Sequence, residues 1–224
     1  MKTTVFNLII LDESGSMGCV TNQTISGCNE TINVAKTQAE KNADALHSLV
    51  SIYAFQSGGK VPSRYILKNE NAITVRHITG DDYVPWGGTP LLDAVGSTLT
   101  ELKTLAATHE DATGVITIIT DGMENASTRY SWKDVANLIS QFKEMGWTVN
   151  LIGANIDVDA MASKMNIDNK MAFKATSEGT EAIWKEYKGR ISRNMDIYAN
   201  ETRMMEDPEE RRKARKARSD DFWD

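Results

Sequence analysis

Short apolar runs alternate along the chain with longer segments in which apolar residues recur every three or four positions. The short runs predict buried strands, and the longer segments predict amphipathic helices. A weaker extended piece is predicted at 73–78. The predicted strands are 6–11, 49–55, 64–68, 115–120, 148–154 and 171–175.

The predicted helices lie between these strands. Pro90 suits the first helical position of one helix, and Ser131 with Asp134 suits a capping pair at the start of another. Strands that alternate with helices at this spacing favour an α/β fold with a mostly parallel sheet covered on both faces. The first helix has an apolar stripe formed by Ile32, Ala35, Ala39, Ala43, Leu46 and Val50, and the later helices are predicted after Pro90, from Ser131 to Gly146, at 157–165 and from Ser177 onward.

Composition narrows the class of protein. The 224 residues suffice for one α/β domain, and 41% hydrophobic with 25% charged residues is ordinary for a soluble globular chain. A formal net charge of -6 argues against nucleic-acid binding and against binding to an anionic membrane. No stretch of about 20 apolar residues is present, and no secretory signal is visible, so we expect a cytoplasmic protein.

Two further segments leave alternatives open. Cys19 and Cys28 lie in a predicted Gly/Asn/Thr-rich loop, where they could form a disulfide, although free thiols fit a cytoplasmic chain better. We divide the chain into a domain at 1–202 and a charged C-terminal tail at 203–224, either a helix extension or disordered. The run of alternating charges favours a frayed, solvated helix extension over a nucleic-acid or partner-docking patch. Phe222 and Trp223 at the end of the tail are a weak indication that it docks.

Side chains with oxygen donors lie in three predicted loops. Asp12, Ser14 and Ser16 come directly after the first strand, Thr89 lies just before a helix, and Asp121 ends the strand at 115–120. Ligands of open α/β sheets bind outside the carboxyl ends of the strands, so these side chains could converge there. One carboxylate with two hydroxyls at alternate positions suits Mg²⁺ or Mn²⁺, which favour oxygen ligands.

These residues carry a family resemblance. The pattern Asp12-x-Ser14-x-Ser16, Thr89 within Gly-Gly-Thr-Pro-Leu and Asp121 within Thr-Asp-Gly resembles the von Willebrand factor A (vWA) domain and its metal-ion-dependent adhesion site (MIDAS). The resemblance covers residues from about 4 to about 199. It implies a Rossmann-like, doubly wound, mostly parallel six-stranded sheet in the order 3-2-1-4-5-6, with helices on both faces. The short antiparallel edge strand would be 64–68.

The resemblance also implies roles for the five residues. Ser14 and Ser16 would bind the metal through their hydroxyls, Thr89 directly or through water, and Asp12 with Asp121 would hold the metal's waters. The ion would be Mg²⁺ or Mn²⁺, with Ca²⁺ as an alternative. A protein partner would complete the shell with an Asp or Glu, which makes the chain an adaptor or scaffold and not an enzyme. The chain resembles the standalone intracellular members of prokaryotic type, and its oligomeric state is left open.

Other interpretations of the same residues exist. The serines could be turn residues, Thr89 a helix cap and Asp121 a strand-ending turn. A metal-dependent phosphohydrolase of haloacid-dehalogenase type also has an aspartate at a strand end, but it needs a second acid where this chain has Ser14. A nucleotide-binding protein is disfavoured because the phosphate-binding Gly-x-x-x-x-Gly-Lys segment is absent. Glu13, Glu124 and Asn125 are interpreted as rim residues beside the motif.

Overall fold

The structure, a computed structural model that describes residues 1–59 and 61–223, is built from strands and helices in near alternation. A short 3-10 segment, Gly15–Val20, follows the first strand. The strands are β1 (Thr3–Asp12), β2 (Leu46–Phe55), β3 (Arg64–Asn71), β4 (Ala112–Thr120), β5 (Thr148–Ala154) and β6 (Asn169–Phe173). The helices are α1 (Thr21–Lys41), α2 (Leu91–Ala106), α3 (Trp132–Glu144), α4 (Val158–Met165), α5 (Ser177–Met204) and α6 (Pro208–Lys216).

The strands form one sheet in the order β3-β2-β1-β4-β5-β6. All neighbours pair in parallel except the edge strand β3, which runs antiparallel to β2. This confirms the predicted α/β fold class and strand order. Because β1 is central and its carboxyl end lies beside that of β4, the loops after these two strands meet at one edge.

Helices cover both faces of the sheet. Along β1 the apolar side chains alternate: Val5, Ile9 and Leu11 pack on the side of α1 and α5, whereas Phe6, Leu8 and Ile10 pack on the side of α2, α3 and α4. This alternation is the two-residue period of a strand. A strand covered on both faces is a continuous apolar run, and all ten residues of β1 are buried.

Two local predictions are wrong. The first helix ends at Lys41, so Leu46 and Val50 belong to β2 and not to its stripe. A spacing of four residues fits a strand face as well as a helix face, and both side chains pack in the cluster that contains α1, which explains the error. The loop predicted to hold both cysteines is helical from Thr21 onward, with Cys28 buried in α1.

The structure also shows the state of the cysteines, the start of α3 and the conformation of residues 73–78. Cys19 and Cys28 are free thiols, as expected. The predicted capping box of Ser131 and Asp134 is present at the start of α3. Residues 73–78 form no strand. Within the described ranges, none of the helices combines the length and apolar character that a membrane crossing requires.

The C-terminal segment is packed against the sheet, so the prediction of a solvated extension is wrong. Arg211 and Arg215, one helical turn apart on α6, are both 2% exposed. Arg215 Nη1 donates to Asp111 Oδ1 at 2.7 Å, and Arg211 Nε lies 2.8 Å from Asp111 Oδ2. Phe222 is buried, and its backbone N–H donates to Asn169 Oδ1. Charge periodicity alone did not reveal that two of the arginines face an acid beneath the helix.

Candidate metal centre

The five predicted metal ligands lie together at the carboxyl edge of β1 and β4. Asp12 ends β1, and Leu11 pairs with Ile119, so Thr120 and Asp121 follow on the neighbouring strand. Thr120 Oγ1 donates to Asp12 Oδ2 at 2.5 Å. The sheet register therefore places the two acidic residues at adjacent strand ends.

Ser14 and Ser16 connect these two acidic residues. The Ser14 N–H donates to Asp12 Oδ1 at 2.7 Å, and the two serine hydroxyls lie 3.2 Å apart. Ser16 Oγ donates to Asp121 Oδ1 at 2.6 Å. A continuous set of oxygen atoms thus runs from Asp12 across the loop to Asp121.

Thr89 reaches the same place from the start of α2. A Cβ built on Gly122 would lie 2.8 Å from Thr89 Oγ1 and 3.6 Å from Asp12 Oδ2. The glycine after Asp121 therefore allows a close approach that a side chain would obstruct. Asp12, Ser14, Thr89 and Asp121 are all buried, and Ser16 is exposed. The structure brings all five residues together.

Glu124 and Asn125 hold the Thr89 segment in position and are not merely rim residues. Asn125 Oδ1 accepts from the Thr89 N–H at 2.9 Å, and the Asn125 N–H donates to the Thr89 carbonyl. Glu124 Oε2 accepts from the Leu92 N–H at the start of α2 at 2.9 Å. Its other oxygen accepts from the N–H groups of Ala126 and Ser127. The loop after β4 is therefore fastened to the first turn of α2.

Glu13 is also not a rim residue, because its side chain is fully buried. Arg64 on β3 donates Nη1 to Oε2 at 2.7 Å and Nη2 to Oε1 at 3.1 Å. Gln56 Nε2 and the Val84 N–H donate to the same carboxylate at 3.0 and 2.6 Å. The residue next to Asp12 thus ties the Asp12–Ser16 loop to β3 and to the segment before Thr89.

The electrostatics of the site are set by two buried carboxylates, Asp12 and Asp121. Burial raises the pKa of Asp12 to about 6, against hydrogen bonds from Thr120 and Ser14 that lower it. Burial also raises the pKa of Asp121 above its ordinary value. Among residues 1–59 and 61–223, neither carboxylate forms a salt bridge with a lysine, arginine or histidine. Two buried carboxylates with three hydroxyl oxygens fit a hard divalent cation, which would supply the missing positive charge.

The donor set also bears on which metals fit. The described part of the chain contains no group of three or more His, Cys, Asp or Glu side chains that could hold a metal. A site here must therefore use hydroxyl oxygens beside the two carboxylates. Such an oxygen-rich set suits magnesium and manganese better than zinc, which prefers nitrogen and sulfur.

Comparison with solved structures identifies the fold. Similar structures include the pilus adhesin SpaC from Lactobacillus rhamnosus GG (TM-score 0.60, 14% identity, 87% of this chain and 31% of that chain). A von Willebrand factor type A structure from Catenulispora acidiphila is also similar (TM-score 0.54, 16% identity, 85% of this chain and 43% of that chain). The SpRpn10 VWA domain is similar as well (TM-score 0.52, 10% identity, 81% of this chain and 93% of that chain).

The chain spans less than half the length of the first two of these structures. No protein-family model and no curated protein matches it. At these identities the likeness concerns the fold, and the chain has the Rossmann-like fold of vWA domains.

Proposed function

We propose that this chain is a metal-dependent binding module. Asp12, Ser14, Ser16, Thr89 and Asp121 would hold Mg²⁺ or Mn²⁺, with Ca²⁺ as an alternative, in a site of the MIDAS type. The bound ion would recruit a cytoplasmic protein partner by accepting a carboxylate oxygen from an Asp or Glu of that partner. The module would act as an adaptor or scaffold and not as an enzyme.

The observation that carries this proposal is the convergence of five oxygen-bearing side chains from three separate loops. The hydroxyls of Ser14, Ser16 and Thr89 lie between or beside the carboxylates of Asp12 and Asp121. Turn residues or helix caps would each bond to their own local backbone. Ser16 instead donates to a carboxylate 105 positions away. Independent turns and caps do not explain that contact.

The small number of carboxylates favours recognition over tight metal storage. Two acidic residues balance the charge of a divalent ion, and among the described residues no third acidic side chain joins them to close the shell. When bound, the ion would supply Lewis acidity toward a further oxygen ligand. A partner's carboxylate is the strongest such ligand among protein side chains at neutral pH. Specificity for an acidic partner follows from this electrostatic balance.

Calorimetry can test the metal site. Ser14→Ala with Ser16→Ala removes two hydroxyl donors and leaves both carboxylates, so we expect the affinity for Mg²⁺ and Mn²⁺ to fall at least about tenfold, as two lost oxygen ligands imply. Ser26→Ala with Ser177→Ala, which changes two exposed serines, is the matched control. Undiminished affinity in the first variant, with an unchanged unfolding temperature, would place the site elsewhere.

Partner recruitment is tested by affinity capture in Mg²⁺ and again in chelator. Proteins retained only in Mg²⁺, and lost with the double serine variant, support the proposal. Retention that is indifferent to chelator argues for a metal-free interface. An assay with a generic phosphate ester tests the alternative: robust Mg²⁺-dependent turnover that Asp12→Asn abolishes would show a phosphohydrolase and overturn the binding function.

A further inference from the structure

Exposed apolar side chains are concentrated around the candidate metal centre. Among the described residues, the large hydrophobic side chains that are exposed include Val61, Val84, Trp86 and Met123, at 37%, 48%, 62% and 69%. All four lie in loops at the carboxyl edge of the sheet, where β2 and β4 end and where the chain approaches α2. Large apolar groups that gather in one exposed region mark an interaction site more often than scattered ones do.

The backbone of Trp86 is held in place although the ring is exposed. The backbone N–H of Trp86 donates to the Glu13 carbonyl at 2.8 Å, and the Gly15 N–H donates to the Gly87 carbonyl at 3.1 Å. Gly88 exchanges two backbone hydrogen bonds with Ser57. Gly87 has φ +67°, and a Cβ there would lie 1.5 Å from the Ser57 carbonyl oxygen, so this position needs glycine. The backbone that carries Trp86 is therefore fixed on both sides.

Trp86 and Met123 lie on opposite sides of the Asp12–Ser16 loop. A Cβ built on Gly59, which follows β2, would lie 3.3 Å from the Trp86 ring, whereas Met123 follows β4. The Asp12–Ser16 loop follows β1, which lies between those two strands in the sheet. Trp86 is three residues before Thr89, and Met123 is two residues after Asp121. One exposed apolar side chain therefore flanks the proposed ion on each side.

We propose that Trp86 and Met123 form the apolar contact surface for the partner's recognition segment. This inference rests on the proposed function. The segment would be a peptide in which the metal-binding Asp or Glu has aromatic or bulky aliphatic neighbours on both sides. A tryptophan carried on a fixed backbone is the kind of residue that dominates binding interfaces, because little backbone freedom is lost when it is covered. A methionine adapts its shape to varied apolar partners.

Peptide selection tests this assignment without a known partner. A display library of random dodecapeptides is panned on the immobilised full chain in Mg²⁺ and eluted with chelator. We expect the eluted peptides to be enriched in Asp or Glu with aromatic or aliphatic residues within a few positions. Synthetic copies should bind Trp86→Ala and Met123→Ala about tenfold more weakly than the unchanged chain, which is the loss expected of central contact residues.

Controls separate the failure of each proposal. Met204→Ala changes a methionine that is 83% exposed near the opposite edge, where Thr202, two residues earlier, contacts Thr3; this variant should leave peptide binding unchanged. Calorimetry with Mg²⁺ alone should give the same affinity for Trp86→Ala and Met123→Ala as for the unchanged chain. Enriched acidic peptides without apolar neighbours, or equal binding by both variants, would refute the contact surface alone. A selection that yields no chelator-eluted peptide, or peptides still bound by the double serine variant, would refute the proposed function.

Discussion

Replacement of Glu13 tests how the candidate site is supported. Among the described residues, the Glu13 carboxylate accepts four hydrogen bonds: two from guanidinium N–H groups of Arg64, one from the Gln56 amide and one from the Val84 N–H. Glu13→Gln keeps the shape but replaces one acceptor oxygen with an amide that is itself a donor. A donor then faces a donor inside the protein, and Arg64 loses its counter-charge.

The expected cost follows from the burial of the two partners. Removing one partner of a fully buried ion pair costs about 3 to 5 kcal/mol. The Glu13 side chain is 0% exposed, but Arg64 retains 25% exposure and can be partly hydrated after the change. We therefore expect Glu13→Gln to lower the free energy of unfolding by about 2 to 3 kcal/mol, below the range for a fully buried pair. The double variant with Arg64→Met should lose less than the sum of the two single changes.

The assay is urea unfolding of the metal-free protein, followed by far-ultraviolet circular dichroism, for the complete double-mutant cycle. A coupling energy of about 2 kcal/mol is expected, since the residues contact each other directly. The exposed pair Lys41–Asp196, at 58% and 38% exposure, is the control, and its coupling should be below about 0.5 kcal/mol. Equal coupling in the two cycles would refute the view that Glu13 organises the loops around the site.

Three further predictions concern other parts of the molecule. Arg215→Met leaves the buried Asp111 carboxylate without its bidentate partner and should lower the free energy of unfolding by about 3 kcal/mol in urea. Gly27→Ala would put a methyl carbon 2.1 Å from a ring atom of Trp184 on α5, so we expect a loss of about 1 to 3 kcal/mol in thermal unfolding. Burial raises the pKa of Asp12 to about 6, so the destabilising charge of this carboxylate is lost as the pH falls through that value. Between pH 7 and pH 4 the metal-free protein should therefore gain about 2 kcal/mol of stability relative to Asp12→Asn. Parallel pH dependences of the two proteins would contradict this last prediction.

The fold and the convergence of the five candidate side chains could be predicted from the sequence, because strands and helices give local signals and the resemblance to vWA domains implied the strand order. A run such as 115–120 is apolar throughout because β4 is covered on both faces, and the residue that follows it, Asp121, then lies at the carboxyl edge. Strand ends in a parallel sheet meet at one edge, so residues distant in sequence are brought together by topology alone. The grouping of Asp12, Thr89 and Asp121 required no knowledge of side-chain contacts.

The supporting residues could not be predicted because their partners are set by three-dimensional contacts. Glu13 sits between Asp12 and Ser14, where a charge is compatible with either a solvated or a buried side chain. Its burial depends on Arg64, which lies on an antiparallel edge strand 51 positions away. Arg211 and Arg215 are similar: in sequence they belong to a run of charges, and only the docking of α6 on Asp111 separates them from the exposed bases beside them. A single sequence contains no signal for such pairings.

The two ends of β4 carry buried carboxylates whose pKa values are shifted in opposite directions. Asp111 precedes the strand, and Arg215 and Arg211 contact it; although burial alone would raise the pKa of Asp111, the hydrogen bonds from Arg215 and the charges of both arginines hold it below its ordinary value. Asp121 follows the same strand and lies beside Asp12, and burial raises both pKa values because only hydroxyl and backbone groups oppose it. The folded chain therefore compensates buried negative charge with arginine at one edge of the sheet, and in the proposed function a bound cation would compensate it at the other. Metal binding at the carboxyl edge should stabilise the fold, because the cation would offset the negative charges of Asp12 and Asp121. We therefore expect Mg²⁺ to raise the unfolding temperature of the unchanged chain and of Arg215→Met. The same addition should not raise the unfolding temperature of Asp12→Asn.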